Sequence, residues 1–290
     1  MKYHRVSPWL FLLPTIVGLL VFRLGPIIAA LFASFTQWNI ISPPAWIGLA
    51  NYRELANSPI FWKILRNTVL FSLTYVPGVM VGGLFLAILV NRKLRGITLF
   101  RGLFYLPVIT STVAIGVVWS WILSPRFGVL GNVLDRLGVS NIPSFLGDSR
   151  YVLFTLVLVY VWKMSGYQMI LFLAGLQNIP GDYYEAVAID GATPWQSLRY
   201  ITLPMLSSTT FFVLIISLIQ SLQTFDITFA MTGGGPNYAS TTLSFFTYVN
   251  GFVHFRMGYA ASMSFVLLLI VGTITFINFQ AKKCWVNTIE

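Results

Sequence analysis

Two groups of side chains in this chain are spaced to do chemistry. Ser217, Gln220, Ser221 and Thr224 fall at i, i+3, i+4 and i+7 of an apolar segment, so they form one stripe of a helix. A row of hydroxyls and amides offers donors and acceptors to a hydroxylated solute. A second apolar segment adds Tyr160, Lys163, Tyr167 and Gln168: two phenols, an ammonium and an amide. Such residues also act as hydrogen-bonding glue between helices, and spacing leaves both uses open. Lys163 lies near the middle of its segment. A buried ammonium there costs at least about 2.5 kcal/mol unless paired or wetted. It either contacts solute or holds a backbone carbonyl.

Between these two segments lies a polar stretch, Glu185 to Pro204, reading EAVAIDGATPWQSLRYITLP. It carries its own start, stop and restart signals. Asp182 and Glu185 have the D-x-x-E spacing of a capping box, which predicts a helix beginning near Asp182. Gly191 stands where a left-handed C-terminal cap belongs. Thr193-Pro194 then supplies an N-cap followed by proline at the first helical position. Two short helices joined by a sharp turn make a compact knob, and small Ala186 and Ala188 let another surface approach its backbone. A plain solvated loop between helices is the competing reading.

Other chemistries find no residues. No lysine is followed by Ser or Thr, so a phosphate-cradling G-x-x-x-x-G-K-[ST] loop is absent. His4 and His254 are far apart, in a tail and a loop, and no G-x-S-x-G or H-E-x-x-H occurs. The acids sit in loops or at the ends of apolar runs, whereas ion-coupled carriers bury them in their spans. A single cysteine, Cys284, excludes an internal disulfide and a cysteine-rich metal site. No catalytic, metal or cofactor residues are expected, and the residues point to a conduit that receives mechanical work from a partner.

Composition says what must position these groups. The chain is 57% hydrophobic and 9% charged, against about 25% charged for a soluble domain. Its net charge of +10 is spread over the ends of apolar runs, which speaks for membrane anchoring rather than nucleic acid. A spanning helix needs about 20 apolar residues. Six runs qualify, at about 9–32, 68–90, 103–123, 151–173, 203–225 and 257–281, flanking a loop at 180–204. The first, interrupted by Arg23, is too long for a cleaved leader. One all-α polytopic membrane domain over residues 1–290 is therefore expected. Lys2, Arg5, Arg92, Lys93, Arg95, Arg101, Lys282 and Lys283 fall on one side of the six spans, which the positive-inside rule makes cytoplasmic together with both termini. Alternation then puts the knob in the cytoplasm.

Glu185-Ala186-Val187-Ala188-Ile189-Asp190-Gly191, nine residues, then Ile201-Thr202-Leu203-Pro204 resembles the EAA loop of ATP-binding-cassette importer permeases. Val187 departs from the pattern, where alanine is usual. Trp162-Lys163, Gly166-Tyr167, Phe172 to Gln177, Ile179-Pro180, Ile47 to Tyr52, Arg101 to Pro107 and Met231 to Pro236 are similar to the carbohydrate-uptake branch, and the GGGP stretch favours its maltose-type "F" permease. The resemblance implies a type I importer fold in the bacterial inner membrane and a homologous "G"-type permease partner. It also implies two cytoplasmic ATPase subunits that bind ATP and Mg, and an external solute-binding protein. Glu185, Ala186, Asp190 and Gly191 would form the ATPase-coupling element. A sugar-like solute would meet Tyr160, Lys163, Tyr167, Ser217, Gln220, Ser221 and Thr224 between the permeases. A permease for a phosphorylated polyol or a glycosidic osmoprotectant is the alternative within the family. An ion-coupled carrier or an intramembrane enzyme is the alternative outside it.

Overall fold

The computed structural model describes residues 7–92, 95–138 and 143–285. Lys2, His4, Arg5 and Lys93 lie outside the described residues, as do the side chains of Lys283 and Cys284. Four helices are long and apolar enough to cross a membrane, at Phe11–Ser34, Pro59–Val90, Val152–Gln177 and Met257–Lys282. Two bent pairs bring the number to six if each is one span: Ile97–Ile109 with Thr112–Ile122, and Pro194–Met205 with Ser207–Leu222. Strand structure among the described residues is one two-residue pair. The chain divides into two compact units, residues 1–61 with 247–268 and residues 62–246 with 269–290.

In the first unit, helix Ser7–Leu19 passes through one π-turn at Leu20–Leu24 and continues as Gly25–Ser34. Pro26 has no N–H for its turn, and the wider turn reroutes the ladder by letting Gly25 N–H donate to the Leu20 carbonyl. Arg23 is exposed within that turn. The chain then reverses through Thr36–Gln37 paired antiparallel with Ala45–Trp46. Buried Asn51 secures this corner, its amide donating to the Ser34 and Thr36 carbonyls at 2.9 Å each. Glu54 and Arg256 form a bidentate ion pair at 2.6 and 2.7 Å, and the Arg256 guanidinium lies 4.2 Å from the Tyr259 ring centre.

In the second unit, helix Val152–Gln177 is the axis. Its neighbours can be read from where small residues let backbones meet. Gly78, Gly82 and Gly83 of Pro59–Val90 face Val161, Ser165 and Gln168, so both numbers rise together and the two helices run parallel. Gly166 faces Phe104, and Lys163 reaches Val108, so Ile97–Ile109 runs antiparallel. Gly175 faces Leu206 and Thr209 while Gln168 meets Ser217, so Ser207–Leu222 is antiparallel as well. This alternation is what short connections across a membrane require. Apolar clusters fill the axis at both ends. Phe71, Tyr75 and Val79 pack with Leu156, Val159 and Ile227, and Ala87 and Val90 pack with Met169, Phe172, Leu206 and Val213.

The run at 103–123 is broken at Thr110-Ser111, where the two helices meet at 94°. Pro107 cannot donate to the carbonyl one turn back, and both Thr110 and Ser111 leave the helical region at ψ 141° and 130°. The second piece is held by Gly116, which faces Ala230 on helix Asp226–Met231. Arg101 ties the connection at the other end by donating to the Val90 carbonyl at 2.9 Å. A cation at a helix C-terminus is favoured there.

Gly166 is the tightest of the contacts along the axis: a Cβ there would strike the Phe104 carbonyl and crowd Tyr105. Neither backbone can yield without unpacking its helix. Gly166→Ala is expected to cost about 1–3 kcal/mol, seen as a lowered unfolding temperature in detergent. Gly102→Ala, where nothing lies within 4 Å, is the matched control and should be near neutral.

Candidate coupling and solute sites

Helix Gly181–Ile189 begins one residue after Pro180, which occupies the N-cap with φ −58° and ψ 138°. Asp182 is therefore already helical, and no capping box forms between it and Glu185. The sequence reading is corrected here: the proline sets the start, and Asp182 acts as a first-turn acid facing the positive helix end. The capping box lies instead at the second helix, Pro194–Ser197. Thr193 Oγ1 accepts from Gln196 N–H at 3.3 Å, and Gln196 Oε1 accepts from Thr193 N–H at 2.7 Å.

Gly191 lies between the two helices at φ +76°. Open space surrounds the position of a Cβ, so the left-handed backbone, not crowding, demands glycine. The first helix unwinds through bonds from Asp190, Gly191 and Ala192 N–H to the Ala186, Ala188 and Val187 carbonyls, at 3.2, 3.2 and 3.0 Å. Glu185, Ala186, Asp190 and Gly191 are all exposed on this turn. Beside them Ile189 is 87% exposed, with Tyr183 and Trp195 also at the surface. A short helix that shows carboxylates and large apolar groups to solvent has the makeup of a docking surface.

The exposed face is tied to the bundle behind it. Tyr184 shares a 3.1 Å hydrogen bond with buried Thr202 and packs against the cluster around Val90 and Leu206. Thr202 ends a π-turn at Leu198–Thr202. After Leu203–Met205 the chain bends by 69° into Ser207–Leu222. The knob thus hangs from the ends of the two helices that carry the polar residues.

Those residues converge. Gln168 is fully buried, and its Nε2 donates to Ser217 Oγ at 3.1 Å and reaches Gln220 Oε1 at 3.5 Å. The Tyr75 hydroxyl also approaches Gln220 Oε1 at 3.5 Å. The Tyr160 ring lies 4.9 Å from Tyr75, centre to centre, and its hydroxyl meets Thr224. Ser217, Ser221 and Thr224 are buried, with Ser221 and Thr224 returning bonds to the Leu218 and Gln220 carbonyls. Gln220, Tyr160 and Tyr167 are half-exposed. Lys163 is buried, its ammonium donating to the Val108 carbonyl at 3.2 Å beside the break in the helix pair. Sequence reasoning placed no weight on Tyr75. Its signal was a lone phenol in an uncharged apolar run, and only the parallel packing of its helix brings it to Gln220.

One atom of this cluster is unsatisfied. Gln168 Oε1 is buried and has no hydrogen-bond partner among the described residues. An orphan acceptor of this kind costs about 1–3 kcal/mol. No group of three or more His, Cys, Asp or Glu that could hold a metal occurs among the described residues.

Known proteins share both the sequence and the fold. Residues 78–282 match the family described as binding-protein-dependent transport system inner membrane component. The chain is 36% identical to a probable ABC transporter permease protein of Pyrococcus horikoshii, over 90% of each chain. It is 35% identical to the lactose transport system permease protein LacF of Rhizobium radiobacter, over 97% of this chain and 96% of that one. It is 33% identical to the sn-glycerol-3-phosphate transport system permease protein UgpA of Pectobacterium atrosepticum, over 97% and 95%. A chain from the crystal structure of a bacterial ABC transporter that imports the acidic polysaccharide alginate superposes with a TM-score of 0.83, at 24% identity over 97% of this chain and 96% of that one. The shared fold is that of type I importer permeases, and the relatives are transport subunits rather than enzymes. With its apolar spans around a glycine-packed axis and a looped knob between the two polar ones, this chain belongs to the family of inner-membrane components of binding-protein-dependent transport systems.

Proposed function

We propose that the chain is the permease subunit that passes a sugar or sugar derivative into the cytoplasm by ATP-driven alternating access. One observation carries this reading: the exposed helix and turn bearing Glu185, Ala186, Asp190 and Gly191 are bonded through Tyr184 and Thr202 to the helices that hold the polar cluster. Force applied to that helix by a nucleotide-driven partner would be delivered to the cluster by a short rigid lever. The two units act as one permease domain beside a homologous "G"-type subunit. Two ATPase subunits, which hold ATP and Mg, dock on the cytoplasmic knob, and an external binding protein delivers solute. Both termini lie in the cytoplasm, on the side of Arg92, Arg95 and Arg101.

Solute passes along Tyr160, Lys163, Tyr167, Ser217, Gln220, Ser221 and Thr224. Gln220 and the two tyrosines reach the path, while Ser217, Ser221 and Thr224 hold the stripe from behind. Lys163 directs its ammonium at a carbonyl, so hydroxyl, phenol and amide groups make up the rest of the path, which suits a sugar. Relatives named for lactose and for starch degradation products support the same class. The relative named for sn-glycerol 3-phosphate favours a phosphorylated polyol as the second reading.

Uptake into vesicles containing the whole importer tests the proposal. It should need ATP and the binding protein, and uptake driven by a proton gradient alone would overturn it. Gly191→Pro or Glu185→Ala is expected to leave membrane insertion intact but to separate ATP hydrolysis from transport. Normal uptake by Gly191→Pro at normal expression would remove the lever. Gln220→Ala is expected to weaken the apparent affinity for solute about tenfold, the loss of one or two buried hydrogen bonds, with basal ATPase activity and assembly retained. An unchanged affinity would assign this side chain to packing.

A further inference from the structure

A second, differently charged site lies at the opposite end of the axis from the knob. Helix Pro59–Val90 has 32 residues, so it is about 48 Å long, well beyond a hydrocarbon core of about 30 Å. Its first turns therefore reach the headgroup region. There a groove of about 500 Å³ opens between them and the start of Val152–Gln177. Lys63, Arg66 and Arg150 line it, with no carboxylate among the lining residues. Arg66 and Arg150 are exposed. The ion pair within 4 Å that the described residues form is Glu54–Arg256, so neither arginine is neutralised. The nearest acid in sequence, Asp148, is occupied in accepting the Arg150 backbone N–H at 2.8 Å. Leu70 and Leu153 also line the groove, as do Trp62 and Phe154, which are 55% and 54% exposed.

Three cations in one groove repel one another, and no carboxylate lines it. Large aromatic rings beside them suit the boundary between headgroups and acyl chains. A ligand that satisfies both features has a phosphate for the arginines and a hydrocarbon tail for Trp62 and Phe154. The groove also touches Ala239, in a loop pinned to the same helix by Lys63 and Asn67 donating to the Asn237 and Tyr238 carbonyls at 2.7 Å each. An occupant would therefore brace two span ends and this loop together.

We infer that the groove formed by Lys63, Arg66 and Arg150 binds the phosphate of an anionic phospholipid, its tail lying against Trp62 and Phe154. Basic pockets at span ends hold lipid headgroups in this way. The inference requires membrane insertion only and holds for either orientation and any transported solute. The test uses the full chain purified with its copurifying subunits, delipidated, and placed in nanodiscs of phosphatidylcholine with or without phosphatidylglycerol. Phosphatidylglycerol should raise the unfolding temperature and remain bound in native mass spectrometry. Arg66→Gln and Arg150→Gln should each weaken that binding about tenfold, the loss of one charge-assisted contact. Arg126→Gln, an exposed cation outside the groove, should leave it unchanged. Equal weakening by Arg126→Gln would reduce the effect to general charge and overturn the site. So would retention of the lipid by the Arg66→Gln/Arg150→Gln double variant. Equal stabilisation by sn-glycerol 3-phosphate in phosphatidylcholine nanodiscs would identify a soluble-anion site and overturn the lipid assignment.

Discussion

Backbone approaching backbone around helix Val152–Gln177 is the contact on which the rest of the second unit depends. Lipid tails are as apolar as leucine, so helices in a membrane gain little by hiding apolar surface from them. They gain by packing closely, and closeness needs small residues. Gly83 lies on Gln168, Gly166 on the Phe104 carbonyl and Gly175 on Leu206 and Thr209. Three different helices thus meet one axis at glycine distance, and the register of each is set by where its own or the axis glycine falls. A shift by one residue would put a side chain where a backbone now lies.

The same closeness decides what the polar residues can do. Gln168 meets Ser217 and Gln220 with its amide while its Cβ and backbone lie against Gly83, where any side chain would collide. Lys163 can reach the Val108 carbonyl because the glycine contact three residues on draws that helix in, and because the helix breaks just beyond, at Thr110. A buried ammonium is tolerable where a carbonyl receives it. The polar cluster is therefore the glue of this bundle, with Gln168 Oε1 its unsatisfied atom among the described residues.

At the knob, three backbone devices act in sequence. Pro180 starts the first helix, Gly191 reverses the chain, and the Thr193–Gln196 capping box starts the second. None depends on a long-range contact, so the shape of the knob is set locally. Tyr184 with Thr202 ties the knob to the helices behind it. A π-turn and a 69° bend follow at once. The bent pair around Thr110-Ser111 is a second such place, and it adjoins Lys163.

Much of this was legible from residues alone. Apolar run length revealed the membrane spans, because hydrocarbon offers no partner for backbone groups and only a long helix satisfies its own. The turn at Gly191 and the cap at Thr193 were legible because both are local: a left-handed φ and a side chain reaching three residues along. The knob's first helix does begin near Asp182, but without the expected capping box, since D-x-x-E spacing says nothing of a proline two residues earlier that has already fixed the entry.

Other features are invisible in the order of residues. Tyr75 joins the polar cluster, Lys163 reaches the Val108 carbonyl, and Lys63, Arg66 and Arg150 share one groove only because four helices pack in a particular register. Amino-acid order determined which segments are helices in a membrane and where the chain turns, since those depend on hydropathy and on torsions a few residues long. Tertiary structure decided which polar groups meet, because that depends on how closely backbones approach, and glycine spacing on one helix acquires meaning only against the helix it touches.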